Sequence, residues 1–112
     1  MQNESPKIGV GWTTVETLSQ AEALASGMLQ AKLAACVQIE GPVRSHYVWQ
    51  GAIHADPEYR LMVKFDWRLE SELQAWIQQK HPYETPEWVA LPMTAALPAY
   101  AAWVVESPGS AG

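Results

Sequence analysis

Cysteine is almost missing from this chain: Cys36 is the only one in 112 residues. No disulfide can form within one copy, and neither a disulfide scaffold nor a closed zinc site built from several cysteines is available. Basic residues are scarce too. Seven Lys and Arg stand against twelve Asp and Glu, and the net charge of −5 has the wrong sign for a surface that tracks phosphates, so nucleic acid is not an expected partner. Long apolar runs are lacking, since stretches such as Trp88–Leu91 fall far short of the roughly 20 residues that cross a bilayer. The polar N-terminus has no secretory hydrophobic segment. These absences predict a soluble, cytoplasmic protein without a membrane partner. Nucleophile elbow, P-loop, dinucleotide glycine fingerprint and zinc-protease helix motif are also absent, which argues against the common enzymes and leaves an unfamiliar one open.

What remains is ample apolar material. Hydrophobic residues make up 48% of the chain and charged residues 17%, the balance of a folding domain rather than a disordered segment. The length suits a single domain, expected over 8–106, with flexible tails at 1–7 and 107–112. Six Trp are a heavy load for so short a chain and suggest that some are buried between subunits.

Ile8–Thr14 reads as a strand, β1. Thr17 and Gln20 fit a capping box, and Leu18, Ala21, Leu24, Ala25, Met28, Leu29 and Leu33 recur at helical spacing, which predicts helix α1. Ala35–Glu40, the Gly41-Pro42 kink and Val43–Gln50 predict a long, bent β2. After a turn-rich Gly51–Pro57, Glu58–Phe65 alternates as β3, with Tyr59, Leu61, Val63 and Phe65 on one face and Glu58, Arg60, Met62 and Lys64 on the other. Asp66 can cap α2, which holds Leu69, Leu73, Trp76 and Ile77 and is stopped by Pro82. Glu87–Pro92 predicts β4 and Pro98–Glu106 a terminal α3. The order is that of an α+β, ferredoxin-like βαββαβ sandwich with an extra C-terminal helix. Two helices on one face would leave the other face bare, and an aromatic strand face there predicts association.

The chain resembles the CutA1 family of divalent-cation tolerance proteins. The resemblance rests on Leu33-Ala34-Ala35-Cys36-Val37, on Ser45, Tyr47, Trp49 and Gly51, on Glu58 and Lys64, and on His81-Pro82-Tyr83-Glu84-Thr85-Pro86-Glu87 followed by Tyr100 and Trp103. It covers most of the domain. It implies a homotrimer built like the PII signalling proteins, with sheets packed inward and long hairpins wrapping neighbours, and a role in copper binding and metal tolerance. In the copper-linked members the implied ligands are a cysteine at the end of β1 and two consecutive histidines; here those positions hold Thr13, Lys80 and His81. Of this set His81 remains as a candidate metal ligand, and Cys36 is a second candidate. A protonated lysine is a poor donor, so copper binding is expected to be weak.

The residues themselves leave alternatives open. Pro82 and Pro86 stiffen a loop carrying imidazole, phenol and carboxylates, a platform for a ligand or simply a corner at a subunit junction. Glu58 and Lys64 share a strand face, where burial would require them to pair with each other or to hold an ion. Ser45, Tyr47 and Trp49 share a face that is either a stacking platform or interface core. Cys36 reads as a small buried hydrophobe or, less simply, as a soft-metal donor, while His46 and His54 read as solvated. The candidate ligand-binding set is therefore Tyr47, Glu58, Lys64, His81, Tyr83 and Glu87, placed in a polar pocket between subunits with a small ligand or metal ion as partner. Two rival readings stand beside a binding or regulatory role: an enzyme using His81 as general base, and a trimeric scaffold.

Overall fold

A computed structural model describes residues 7–110. Its elements are β1 (Ile8–Val15), α1 (Leu18–Gln30), β2 (Cys36–Trp49), β3 (Ala52–Asp66), a 3-10 turn (Trp67–Leu69), α2 (Glu70–Lys80), β4 (Val89–Pro92) and α3 (Pro98–Ser110). The four strands form one antiparallel sheet in the order β2-β3-β1-β4, the expected ferredoxin-like arrangement. Of the two expected tails, residues 1–6 and 111–112 lie outside the described residues; the Lys7 carbonyl accepts from the Trp67 N–H, and α3 extends through Ser110.

The helices form where local chemistry asks for them. Thr17 Oγ1 accepts from the Gln20 N–H while the Gln20 side chain accepts from the Thr17 N–H, which closes the capping box and satisfies two orphan donors of α1. The helix ends three residues before Leu33, because Lys32 turns into the left-handed region at φ 62° and the Leu33 N–H closes back on the Met28 carbonyl. Asp66 caps the 3-10 turn rather than α2 directly, and its carboxylate holds Arg68 at 2.6 Å.

Ala21, Leu24 and Met28 of α1 and Leu73 and Ile77 of α2 pack on Val15, Leu61, Val63 and Phe65, all essentially buried. Gly11 of β1 is needed here: a Cβ would lie 2.2 Å from the Trp88 ring, which lies across the strand. The opposite face is not bare, as expected, but capped at one end. α3 sets Ala101 and Val104 on Ile8, with Ala35, Met93 and Tyr100 around them.

β3 is nearly twice the length read from alternation, starting at Ala52 instead of Glu58. Pro57 does not stop it, because β1 pairing ends at the Val15–Tyr59 step and beyond it β3 has β2 as its neighbour on one side, so a missing N–H is tolerated on the other. Between Glu40 and Val43 the register shifts, and Gly41-Pro42, joined by a cis peptide, bulges opposite Tyr59. A Cβ at Gly41 would meet Tyr59 at 2.8 Å. Past this bulge, β2 and β3 leave the body as an arm, which draws the chain out to 54 Å against 28 and 23 Å in the other directions.

Candidate functional site

The site is built where the sheet runs out of partners. β4 pairs with Gly9–Trp12, so among the described residues the outer edge of β1 from Thr13 onward has no strand beside it. The loop that begins at His81 crosses this edge. His81, at the C-cap of α2, is buried, and its Nε2 stands 2.9 Å from the Thr14 carbonyl oxygen. Its Nδ1 lies 3.0 Å from the Tyr83 backbone nitrogen. A carbonyl can only accept and a backbone N–H can only donate, so Nε2 carries the proton and Nδ1 the lone pair. The imidazole is neutral, and burial pushes its pKa below the ordinary value, opposed by the Thr14 carbonyl and the Glu58 charge.

Tyr83 is thereby aimed across the sheet edge. Its ring meets the His81 ring edge-on at 4.8 Å between centroids, and its hydroxyl donates to Glu58 Oε2 at 2.7 Å. Burial first, then the hydrogen bond and charge of Glu58, raise the Tyr83 pKa far above that of a free phenol, so the hydroxyl stays protonated as a donor. Thr14 Oγ1 contacts Glu87 Oε1 at 3.4 Å, a long bond that places a second carboxylate on the same edge.

Along the arm, Tyr47 stacks on His54 at 5.2 Å and donates to Asp56 at 2.6 Å. That hydrogen bond raises the Tyr47 pKa, with Asp56, Glu58 and Glu16 adding repulsion against the phenolate. His54 is thus a half-buried stacking partner rather than a solvated histidine, a neighbour that only the hairpin register reveals. Among the described residues, no Lys or Arg stands at ion-pair distance from Glu58 or Glu87; the ion pairs are Arg60–Glu40 and Arg68–Asp66.

Of the residues expected together, the structure assembles Glu58, His81, Tyr83 and Glu87, with Tyr47 further out on the same face of the arm. Thr14 and Glu16 join them, and nothing in the spacing pointed to either. Lys64 does not join them within the chain. It shares the face of Glu58 by strand parity, but six residues separate the two by roughly 20 Å, and α3 lies at its end of the sheet. There Lys64 Nζ donates to Gln38 Oε1 at 2.8 Å and sits 6.0 Å from the centre of the Tyr100 ring. Cys36 is half-buried directly opposite Lys64. Lys64 in turn faces Val10, four residues along β1 from Thr14, so thiol and imidazole are more than roughly 10 Å apart. Thr13 points the other way, into the core, where its hydroxyl is buried without a hydrogen-bond partner among the described residues, and Lys80 is exposed. Among the described residues no three His, Cys, Asp or Glu are grouped as metal ligands. The donors that copper would want, imidazole lone pair and thiolate, do not converge in one chain. Nor does His81 present a free lone pair to a substrate, as a general base must.

Residues 10–107 match the family model described as CutA1 divalent ion tolerance protein. The divalent-cation tolerance protein CutA of Pectobacterium atrosepticum is 34% identical over 75% of this chain and 76% of its own length. The chloroplastic CutA protein of Arabidopsis thaliana is 35% identical over 88% of this chain, which spans about half of that longer relative, 54%. The solved CutA structure from Synechococcus elongatus superposes with a TM-score of 0.86 at 38% identity, covering 96% of this chain and 95% of the other.

Proposed function

The chain belongs to the CutA1 divalent ion tolerance family, and from that premise we propose that it is a homotrimeric binding or regulatory protein, acting in the cytoplasm, whose cargo is a divalent cation. The observation that carries the reading is the Tyr83–Glu58 hydrogen bond at 2.7 Å, which ties a loop stiffened by two prolines to the root of the arm. It gathers Glu58, Glu87, Tyr83 and His81 at an edge where, among the described residues, the carboxylates form no ion pair. The arm supports assembly, since Val48 and Ile53 are 70% and 83% exposed, too apolar to be left in water. A neighbouring copy would cover them and turn the edge into a pocket between subunits. Oxygen donors dominate it and the thiol of Cys36 lies elsewhere, so soft Cu(I) is expected to bind weakly.

Light scattering on the purified protein tests the assembly, and a mass of one chain at micromolar concentration would end the trimer reading. Calorimetric titration with Zn(II), Mn(II) and Cu(II) tests the cargo. Binding should weaken at least tenfold in Glu58→Gln; equal affinity in wild type and variant would remove Glu58 from the site.

A further inference from the structure

We infer that His81 is not a metal donor in this chain but a positioning residue, a neutral imidazole locked in one tautomer that fixes Tyr83 against Glu58. The inference rests on the site proposed above and deepens it. Both ring nitrogens are committed. Nε2–H caps the Thr14 carbonyl, the backbone acceptor left without a strand at the edge of the sheet, and Nδ1 accepts the Tyr83 N–H two residues on. A metal could reach Nε2 only by stripping its proton and leaving the buried Thr14 carbonyl unpaired, or Nδ1 only by freeing the Tyr83 amide. The ring also carries the face of contact for Tyr83, 4.8 Å away and edge-on. With the amide held by Nδ1 and the ring held by the imidazole, the phenol has one direction left, toward Glu58. The thiol is no help, because Cys36 stands at the far end of the ladder, and the Thr13 hydroxyl faces the core.

Long-range ¹H–¹⁵N correlation of the imidazole in the intact protein tests this, with Zn(II) as a diamagnetic probe. A neutral ring protonated at Nε2 is expected, unchanged by one equivalent of Zn(II) per chain; a metal-shifted His81 nitrogen would overturn the inference. A second readout uses two variants. In His81→Gln the amide can still donate to Thr14 but offers no acceptor at the Nδ1 position, so hydrogen exchange at the Tyr83 amide should quicken by roughly tenfold. His81→Asn, which places an oxygen near the Nδ1 position, should restore part of that protection. Unaltered Tyr83 exchange in His81→Gln would also overturn the positioning role. If a variant fails to fold, the wild-type spectra decide alone. Trimer mass and Glu58-dependent cation binding are measured separately, so failure of the functional reading leaves these signals interpretable.

Discussion

The two halves of β3 obey the same alternation and meet opposite fates. From Tyr59 to Phe65 every second side chain is covered by α1 and α2, and Leu61, Val63 and Phe65 are fully buried. From Ala52 to Glu58 the strand has β2 beside it but, among the described residues, no helix above it, and Ile53 is exposed with Val48 opposite. The body is thus a finished core and the arm an unfinished one. A two-residue period marks an apolar face but says nothing about what covers it, and an uncovered face on a long hairpin is a demand for a partner.

The largest effect separates the two regions. Phe65→Ala should destabilise the fold by about 3–5 kcal/mol, measured by urea denaturation, because the surrounding core cannot collapse onto the space left. Should Ile53→Ala cost the same in a single chain, the distinction between body and arm collapses. The next test sharpens it from the arm side. Val48→Asp with Ile53→Asp should leave the far-ultraviolet circular dichroism unchanged while light scattering falls from the mass of the proposed trimer to that of one chain. An unchanged mass would send the interface elsewhere on the molecule.

The latch between body and arm should be worth less. Tyr83→Phe removes the hydroxyl that reaches Glu58, and a loss of about 1–2 kcal/mol is expected for a partly exposed hydrogen bond to a carboxylate. A double-mutant cycle with Glu58→Gln should return most of that as coupling; additivity would mean that the bond does not tie the two regions together.

His81 adds a pH dependence with a definite sign. Its folded pKa lies below the ordinary 6.5, so the unfolded chain takes up the proton first. The stability it contributes is present above about pH 6.5 and is lost as pH falls through the folded value. Denaturation profiles from about pH 8 to pH 5 should show this decline in the wild type and a flatter one in His81→Gln. The smallest change concerns the body alone. Lys32→Gly relieves a left-handed backbone at φ 62° and should gain about 0.5–1 kcal/mol in thermal or urea unfolding.

Much of this was legible in local pattern. The capping box at Thr17 and Gln20, the spacing of Leu24 and Met28, and the alternation from Tyr59 to Phe65 each name an element because each depends on neighbours within a few residues. The rigid loop from His81 to Glu87 was legible as a candidate site for the same reason, since Pro82 and Pro86 restrict their own backbone. The turn-rich reading of Gly51–Pro57 failed where strand pairing overrode local preference: Ala52–Pro57 is held extended by β2 across the hairpin.

Sequence by itself determined the order and type of the secondary elements, though not the length of β3, together with the family and the face on which each residue from Tyr59 to Phe65 stands, because these follow from short-range sterics and from period. Tertiary structure alone decided which of those residues meet. Strand parity put Glu58 and Lys64 on one face, yet the length of β3 and the position of α3 sent them to opposite ends. It was also tertiary structure that gave His81 its tautomer, because the Thr14 carbonyl lies 67 residues away in the chain and reaches the ring only where β4 stops short of covering the edge of β1.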